Sequence, residues 1–285
     1  MENEEKTALV EEVAKGFESK CKDKLGERLE SLYITGSYAF GKISLDRPDV
    51  NFLLIIKERT SPQDYLLIGE ICREIVKDFE DRCSVRLEFR PFRFINPKTK
   101  SDCEIFLNPI IQSVEEIKNR GCIFNKWFTE GLKSANKLLY GKDFLKTLEV
   151  GEITKEDIFH GALFDLAFFT IPLSRAPAQY GKEDSDLLFN EALTSGKMMC
   201  YLGIEIAMTE EELAKKEYTN YIKNKETIAD FYKERYGEEA AELVNKIFDA
   251  RENYLTYKNE RKKAEEIFDA ALRMAGMIQH KLSSG

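Results

Sequence analysis

A chain of 285 residues, 43% hydrophobic, 11% aromatic and 33% charged, has the composition of a soluble globular protein with room for two ordinary domains. A formal net charge of −8 argues against broad, sequence-independent binding to nucleic acid, which needs a basic face. No stretch approaches the ~20 apolar residues of a membrane span, and the acidic start "MENEEKTALVEEVAK" lacks the basic-then-apolar order of a signal peptide.

Apolar residues at Leu9, Val13 and Phe17 recur at the helical period. "LESLYITG" (Leu29–Gly36) is a β-type run ending in glycine, and "DVNFLLIIK" is a strand apolar on both faces, as a central strand is. Ser61-Pro62 opens an amphipathic helix that continues to Cys83. "SVRLEFRPFRF" alternates as a third strand broken near Pro91, and "CEIFLNPII" reads as a fourth. The segment "SVEEIKNRGCIFNKWFTEGLKSANKLLYG" has a mostly helical pattern with a last apolar turn at Leu138–Gly141. From Thr154 the strand signals stop. Thr154 and Asp157 form a capping-box pattern ahead of Ile158, Ala162, Leu163, Leu166 and Phe169, and Pro172–Tyr180 is expected to break that helix. Further helices are expected at Ser185–Leu202, Thr209–Tyr221, Lys225–Tyr236, Glu238–Tyr257 and Asn259–Leu282. This mix implies an α/β or α+β domain over residues 1–150, then an all-α helical bundle over 151–285; the fold class expected of the whole is α+β, with a mixed sheet and helices in the first domain.

The six cysteines (Cys21, Cys72, Cys83, Cys103, Cys122, Cys200) are widely spaced with no C-x-x-C pair, as expected of reduced, mostly buried thiols in a cytoplasmic protein. His160 and His280 are the only histidines, too few for a histidine-ligated metal cluster, and each reads as a helix-surface or capping residue. Chemistry, if present, falls to carboxylates.

One constellation points to such chemistry. A strand ending in Gly36-Ser37 and turning into a short helical segment offers backbone N–H groups and a hydroxyl to an anion, although most such turns only redirect the chain. Asp49 opens the next strand, and Asp49 and Asn51 share one of its faces. An acid there is costly on a dry face and reasonable on one that looks into a metal-binding cleft. On the third strand Arg86, Glu88 and Arg90 share a face. If that strand lies beside the Asp49 strand, Glu88 joins Asp49 and Asn51 in a site for Mg²⁺ and a polyphosphate. The same residues also read as a solvent-facing Arg-Glu-Arg ladder.

The order helix, strand, Gly-Ser, acid-x-polar strand, long helix, strand with a central acid resembles the DNA-polymerase-β-like nucleotidyltransferase superfamily, in "GSYAFGKISLDRPDVNFLLI" above all. "WFTEGLKSANKLLYGKDFL" is similar to the helix and Leu-Tyr-Gly-x-Asp strand that close this domain in the aminoglycoside adenylyltransferase-like group, where a helical bundle follows. The resemblance covers the first ~145 residues by motif and the rest by architecture only. It implies that Gly36 and Ser37 hold nucleotide phosphates, that Asp49 ligates Mg²⁺, and that Glu88 is a metal ligand or the base that deprotonates the acceptor. Asn51 would offer a carbonyl oxygen to the metal, and Lys42, Arg86 and Arg90 are added as triphosphate contacts. The implied reaction moves a nucleoside monophosphate, AMP from ATP or its counterpart from another NTP, to a hydroxyl of a small molecule or protein, with one or two Mg²⁺ ions and in-line attack. No membrane or nucleic-acid partner is expected, and the oligomeric state is open.

Three departures bear on activity. Asn51 replaces the expected second Asp, Pro48 the usual serine before the first Asp, and Phe40 an arginine common in the group. Asn51 removes one full charge from a site that must hold dications. This leaves a second expectation beside the enzyme: a catalytically impaired nucleotide-binding or regulatory module on the same fold. Asp46 lies in the loop and is expected to face solvent. Asp186, Glu191 and Glu205 in the bundle are too easily surface acids to be counted as site residues.

Overall fold

The computed structural model describes residues 3–41, 44–89, 92–94, 103–118, 126–179, 185–215 and 217–283. The chain divides into two units, Met1–Gly151 and Glu152–Gly285.

In the first unit the order is α1 (Asn3–Leu25), β1 (Leu29–Thr35), a 3₁₀ turn (Gly36–Phe40), β2 (Asp49–Ile56), α2 (Pro62–Asp78), β3 (Ser84–Phe89) and β4 (Phe92–Phe94). It continues with β5 (Glu104–Ser113), α3 (Val114–Lys118), α4 (Lys126–Ser134), β6 (Asn136–Gly141) and α5 (Phe144–Thr147). The six strands form one mixed sheet in the order β4-β3-β5-β2-β1-β6. β2 runs antiparallel to β1 and parallel to β5, and β5 runs parallel to β3.

The sheet has two apolar faces because β2 is apolar at both parities. Val50, Phe52, Leu54 and Ile56 look toward α1 and α2, where Leu9, Val13, Phe17, Ile68, Ile71 and Ile75 complete a core, with Phe17 stacked on Phe52 at 4.3 Å between ring centroids. Leu53 and Ile55 look the other way and meet Tyr33, Ile117, Leu132 and Leu145. The buried Tyr33 hydroxyl is held there, accepting from the Leu145 N–H at 3.1 Å and donating to the Lys142 carbonyl at 3.2 Å. α2 starts where its sequence says it should: Ser61 and Asp64 form a reciprocal capping box, and Arg28 forks onto the Asp64 carboxylate at 2.5 and 3.0 Å.

Two sequence readings of this unit need correction. Leu138–Gly141, expected as a last helical turn, belongs to β6, the strand that the family resemblance implied. Leu-rich composition favours helix there, and pairing with the open edge of β1 overrides it. The third strand is not one strand broken near Pro91 but two, β3 and β4, paired antiparallel through Leu87–Phe94, Glu88–Arg93 and Phe89–Phe92.

Among the described residues the second unit is built of helices: α6 (Lys155–Arg175), α7 (Ser185–Ala207), α8 (Glu210–Ala214), α9 (Tyr218–Tyr221), α10 (Lys225–Tyr236), α11 (Glu238–Glu252), α12 (Tyr254–Tyr257) and α13 (Arg261–Ser283). α7 is the central helix, packed on α6, α10, α11 and α13. Its Ala192, Ser195 and Gly196 are small, which lets neighbours close in: a Cβ at Gly196 would lie 3.0 Å from Ile247. Capping boxes at Thr154–Asp157 and Thr209–Glu212 are present as expected. α6 ends within Pro172–Tyr180 as expected: it carries Pro172 in its last turn and stops at Arg175, before a 3₁₀ turn at Ala176–Gln179. The spans expected as single helices at Thr209–Tyr221 and Glu238–Tyr257 are each divided in two.

Cys21, Cys72, Cys83, Cys103 and Cys200 are buried, and burial pushes their thiols up. Cys122 lies outside the described residues. His160 and His280 are exposed on helices, as expected. Among the described residues no helix is long and apolar enough to cross a membrane.

Candidate functional site

The site lies where the apolar face of β2 gives way to polar side chains, at the strand's first residues. Asp49 and Asn51 occupy alternate positions and point together, both half-buried. The residue that brings them together is Asn108, on β5 directly opposite Asn51. Its Nδ2 donates to Asp49 Oδ1 at 2.6 Å and to Asn51 Oδ1 at 3.1 Å. One amide thus holds two neighbours, with a charge-assisted bond to the acid.

Around this trio the backbone is close. Thr35 at the end of β1 pairs with Asn51. The next residue, Gly36, has φ +72°, and a Cβ there would come within 3.2 Å of Asn51 Nδ2. The left-handed backbone favours glycine here, and any side chain would also crowd the Asn51 amide. Gly36 does not offer its N–H to an anion, because that group donates to the Ala135 carbonyl at 3.0 Å. Ser37 is half-buried at the head of the 3₁₀ turn, and its hydroxyl makes no hydrogen bond among the described residues. On the β5 side Phe106 is level with Asp49, and the Arg47 guanidinium covers its ring at 4.1 Å. Arg47 is only 4% exposed, so a cation is built into the wall one residue away from the acid strand.

Sheet order corrects the expected partner of Asp49. β3 is not beside β2; β5 lies between them. Arg86 pairs with Phe106, which pairs with Asp49, so Arg86 is level with Asp49 two strands away, about 10 Å by strand spacing. Glu88 follows Leu87, the partner of Leu107, and therefore lies at the level of Asn108 and Asn51 but on the far side of β5. The reason is topological. The β2–α2–β3 crossover skips one strand position, and β5 returns to fill it after the β3–β4 hairpin. Lys42 and Arg90 lie outside the described residues. Asp46 is half-buried rather than solvent-facing. In the bundle, Glu191 is buried, not a surface acid as its class suggested. Asp186 accepts from Asn190 Nδ2 at 2.5 Å.

Asn108 and Arg47 were missed from sequence. A signal existed for each: Asn108 is the one polar residue inside "IFLNPII", and Arg47 stands two residues before the acid. Neither matters until strand order puts β5 next to β2.

No protein-family model matches the chain, and no curated protein matches it. Among solved structures, spectinomycin adenyltransferase AAD(9) from Enterococcus faecialis, determined with ATP and spectinomycin, is similar over 92% of this chain and 98% of that one. The identity is 15% and the TM-score 0.49.

Proposed function

We propose that the first unit is a nucleotidyltransferase-like, nucleotide-binding module whose transfer chemistry is lost or strongly attenuated. The observation that carries this reading is the amide of Asn108 donating to both Asp49 and Asn51. Where a pair of dications needs carboxylates converging on one point, this face presents one carboxylate and two neutral amides. An N–H donor already points at the acid. Among the described residues no three His, Cys, Asp or Glu side chains converge.

The donor set fits one Mg²⁺ carried in with a triphosphate. Asp49 supplies the charge, the Asn51 carbonyl a second oxygen, and the nucleotide the rest. When bound, that ion screens phosphate charge. Ser37 binds a phosphate oxygen through its hydroxyl, Gly36 keeps the turn open beside Asn51, and the buried Arg47 adds positive potential to the wall. ATP is the preferred nucleotide in this reading, and the setting is cytoplasmic, in keeping with the buried cysteines Cys21, Cys72, Cys83 and Cys200.

A second reading keeps the enzyme: AMP transfer from ATP to a hydroxyl of a small molecule or protein, with Glu88 as the second acid. Its support is that Glu88 lies at the level of Asn51 on the sheet. Pyrophosphate release from ATP over a panel of hydroxyl compounds separates the two. The module reading expects release at background from the natural chain and a gain in Asn51→Asp/Asn108→Asp. Release from the natural chain that disappears in Glu88→Gln supports the enzyme instead.

A further inference from the structure

The outward face of α6 is apolar without a structural reason. Its inward residues, Ile158, Ala162, Phe169 and Leu173, are buried, and α6 packs on α7 and α13. Phe159, Leu163, Phe164, Phe168 and Ile171 point outward, each 39–47% exposed. His160 and Ala167 are also exposed, so from 159 to 171 the outward arc carries no Asp, Glu, Lys or Arg. The Phe164 and Phe168 rings stack in the open, 5.8 Å apart. An ordinary surface helix puts charge on this arc.

We propose that this face is a self-association surface, where α6 packs antiparallel against α6 of a second copy of the chain. The ends of the stripe specify that occupant. Glu156 closes its N-terminal end and Arg175 its C-terminal end, and both are exposed. A two-fold axis between residues 165 and 166 sets Glu156 of one copy opposite Arg175 of the other, twice. It also sets Leu163 opposite Phe168 and Phe164 opposite Ala167, large against large at one step and large against small at the next. A two-fold interface is self-complementary, and oppositely charged ends on one helix satisfy that condition only in the antiparallel arrangement. From their fractional exposures the five large residues present about 400 Å² of apolar surface, the size of the largest apolar patch on a typical monomer, which is often functional. It supplies roughly half of the ~800 Å² that each partner buries in a standard interface, in keeping with an apolar centre and a polar rim.

Sedimentation velocity on the full chain, over micromolar to tens-of-micromolar concentration, tests this. The natural chain sediments as a dimer. Phe164→Glu raises the dimer dissociation constant by about 100-fold or more. Glu156→Arg alone raises it about tenfold. Glu156→Arg/Arg175→Glu returns it to within about threefold of the natural value. Circular dichroism confirms that the variants stay folded, as expected for outward positions. A natural chain that is monomeric throughout overturns the proposal, whether or not it binds lipid vesicles or another protein through the stripe. So does a dimer that neither Phe164→Glu nor the charge reversals weaken.

Discussion

Replacing Asn108 by aspartate turns the central contact of the site from attraction to repulsion, and the size of the effect follows from the geometry. The amide now donates at 2.6 Å to a carboxylate and at 3.1 Å to an amide oxygen. Losing the first, charge-assisted bond costs about 1.5–3 kcal/mol and the second about 0.5–1.5 kcal/mol. A second carboxylate about 4 Å from Asp49 adds about 4 kcal/mol of repulsion at an effective dielectric of 20, reduced because Asp49 is half-exposed. Asn108→Ala loses the bonds without gaining the charge. Asn108→Ala should therefore lose about 2–4 kcal/mol of stability, with little dependence on pH or Mg²⁺. Asn108→Asp should lose about 1–3 kcal/mol more than Asn108→Ala at pH 8 in chelator. Much of that returns at pH 5, where the pair shares a proton, and in millimolar Mg²⁺, which binds the paired carboxylates. Urea denaturation of both variants at the two pH values, with and without Mg²⁺, measures this. If Asn108→Asp is no less stable than Asn108→Ala at pH 8 in chelator, and Mg²⁺ shifts neither, Asn108 does not bridge Asp49 and Asn51.

Other expectations follow from contacts elsewhere. Asp64→Ala removes a capping box and a buried fork to Arg28, and should cost about 2–4 kcal/mol by denaturant titration. Burial pushes the Asp64 carboxyl up, but hydrogen bonds from Ser61 and Arg28 outweigh it and hold the group below its usual range. Its contribution is therefore complete above the ordinary carboxylate pKa and fades as pH falls through the folded value. Asp165 behaves in the opposite sense. Burial raises its carboxyl from 3.8 to about 6, so the folded state holds a proton that the unfolded chain releases, and stability falls as pH rises between those values. Asp165→Asn should accordingly gain about 1–3 kcal/mol over the natural chain at pH 8 and little at pH 4, read as the difference in melting temperature. Gly36→Ala forces a side chain into left-handed backbone beside the Asn51 amide; it should cost about 1–2 kcal/mol and weaken nucleotide binding several-fold.

Local signals carried most of the fold. The period of α1, the Ser61–Asp64 and Thr154–Asp157 caps and the apolar run of β2 are written in neighbouring residues, and helices and strands appeared where those signals put them. What failed was non-local. Leu138–Gly141 became a strand because β1 offered an open edge, and β5 went between β2 and β3 because a crossover left a gap. The site inherits both outcomes. Asp49 and Asn51 share a face because alternation on a strand is local, whereas the partner strand is decided by topology, and that exchanged Glu88 for Asn108. An amide in "IFLNPII" carries no message until its neighbour is known. On α6 the helical period picked out Leu163 together with the buried Ile158, Ala162 and Phe169, yet Leu163 turns outward in the fold.

The central claim, that a nucleotide binds at the Ser37–Asp49–Asn51 face, is tested most directly by calorimetric titration of ATP with Mg²⁺ into the natural chain and into Asp49→Ala. Saturable one-site binding to the natural chain, weakened about tenfold or more in Asp49→Ala while Glu191→Gln in the bundle leaves it unchanged, is the expected result. No measurable binding, or an affinity that Asp49→Ala leaves intact, would contradict the assignment.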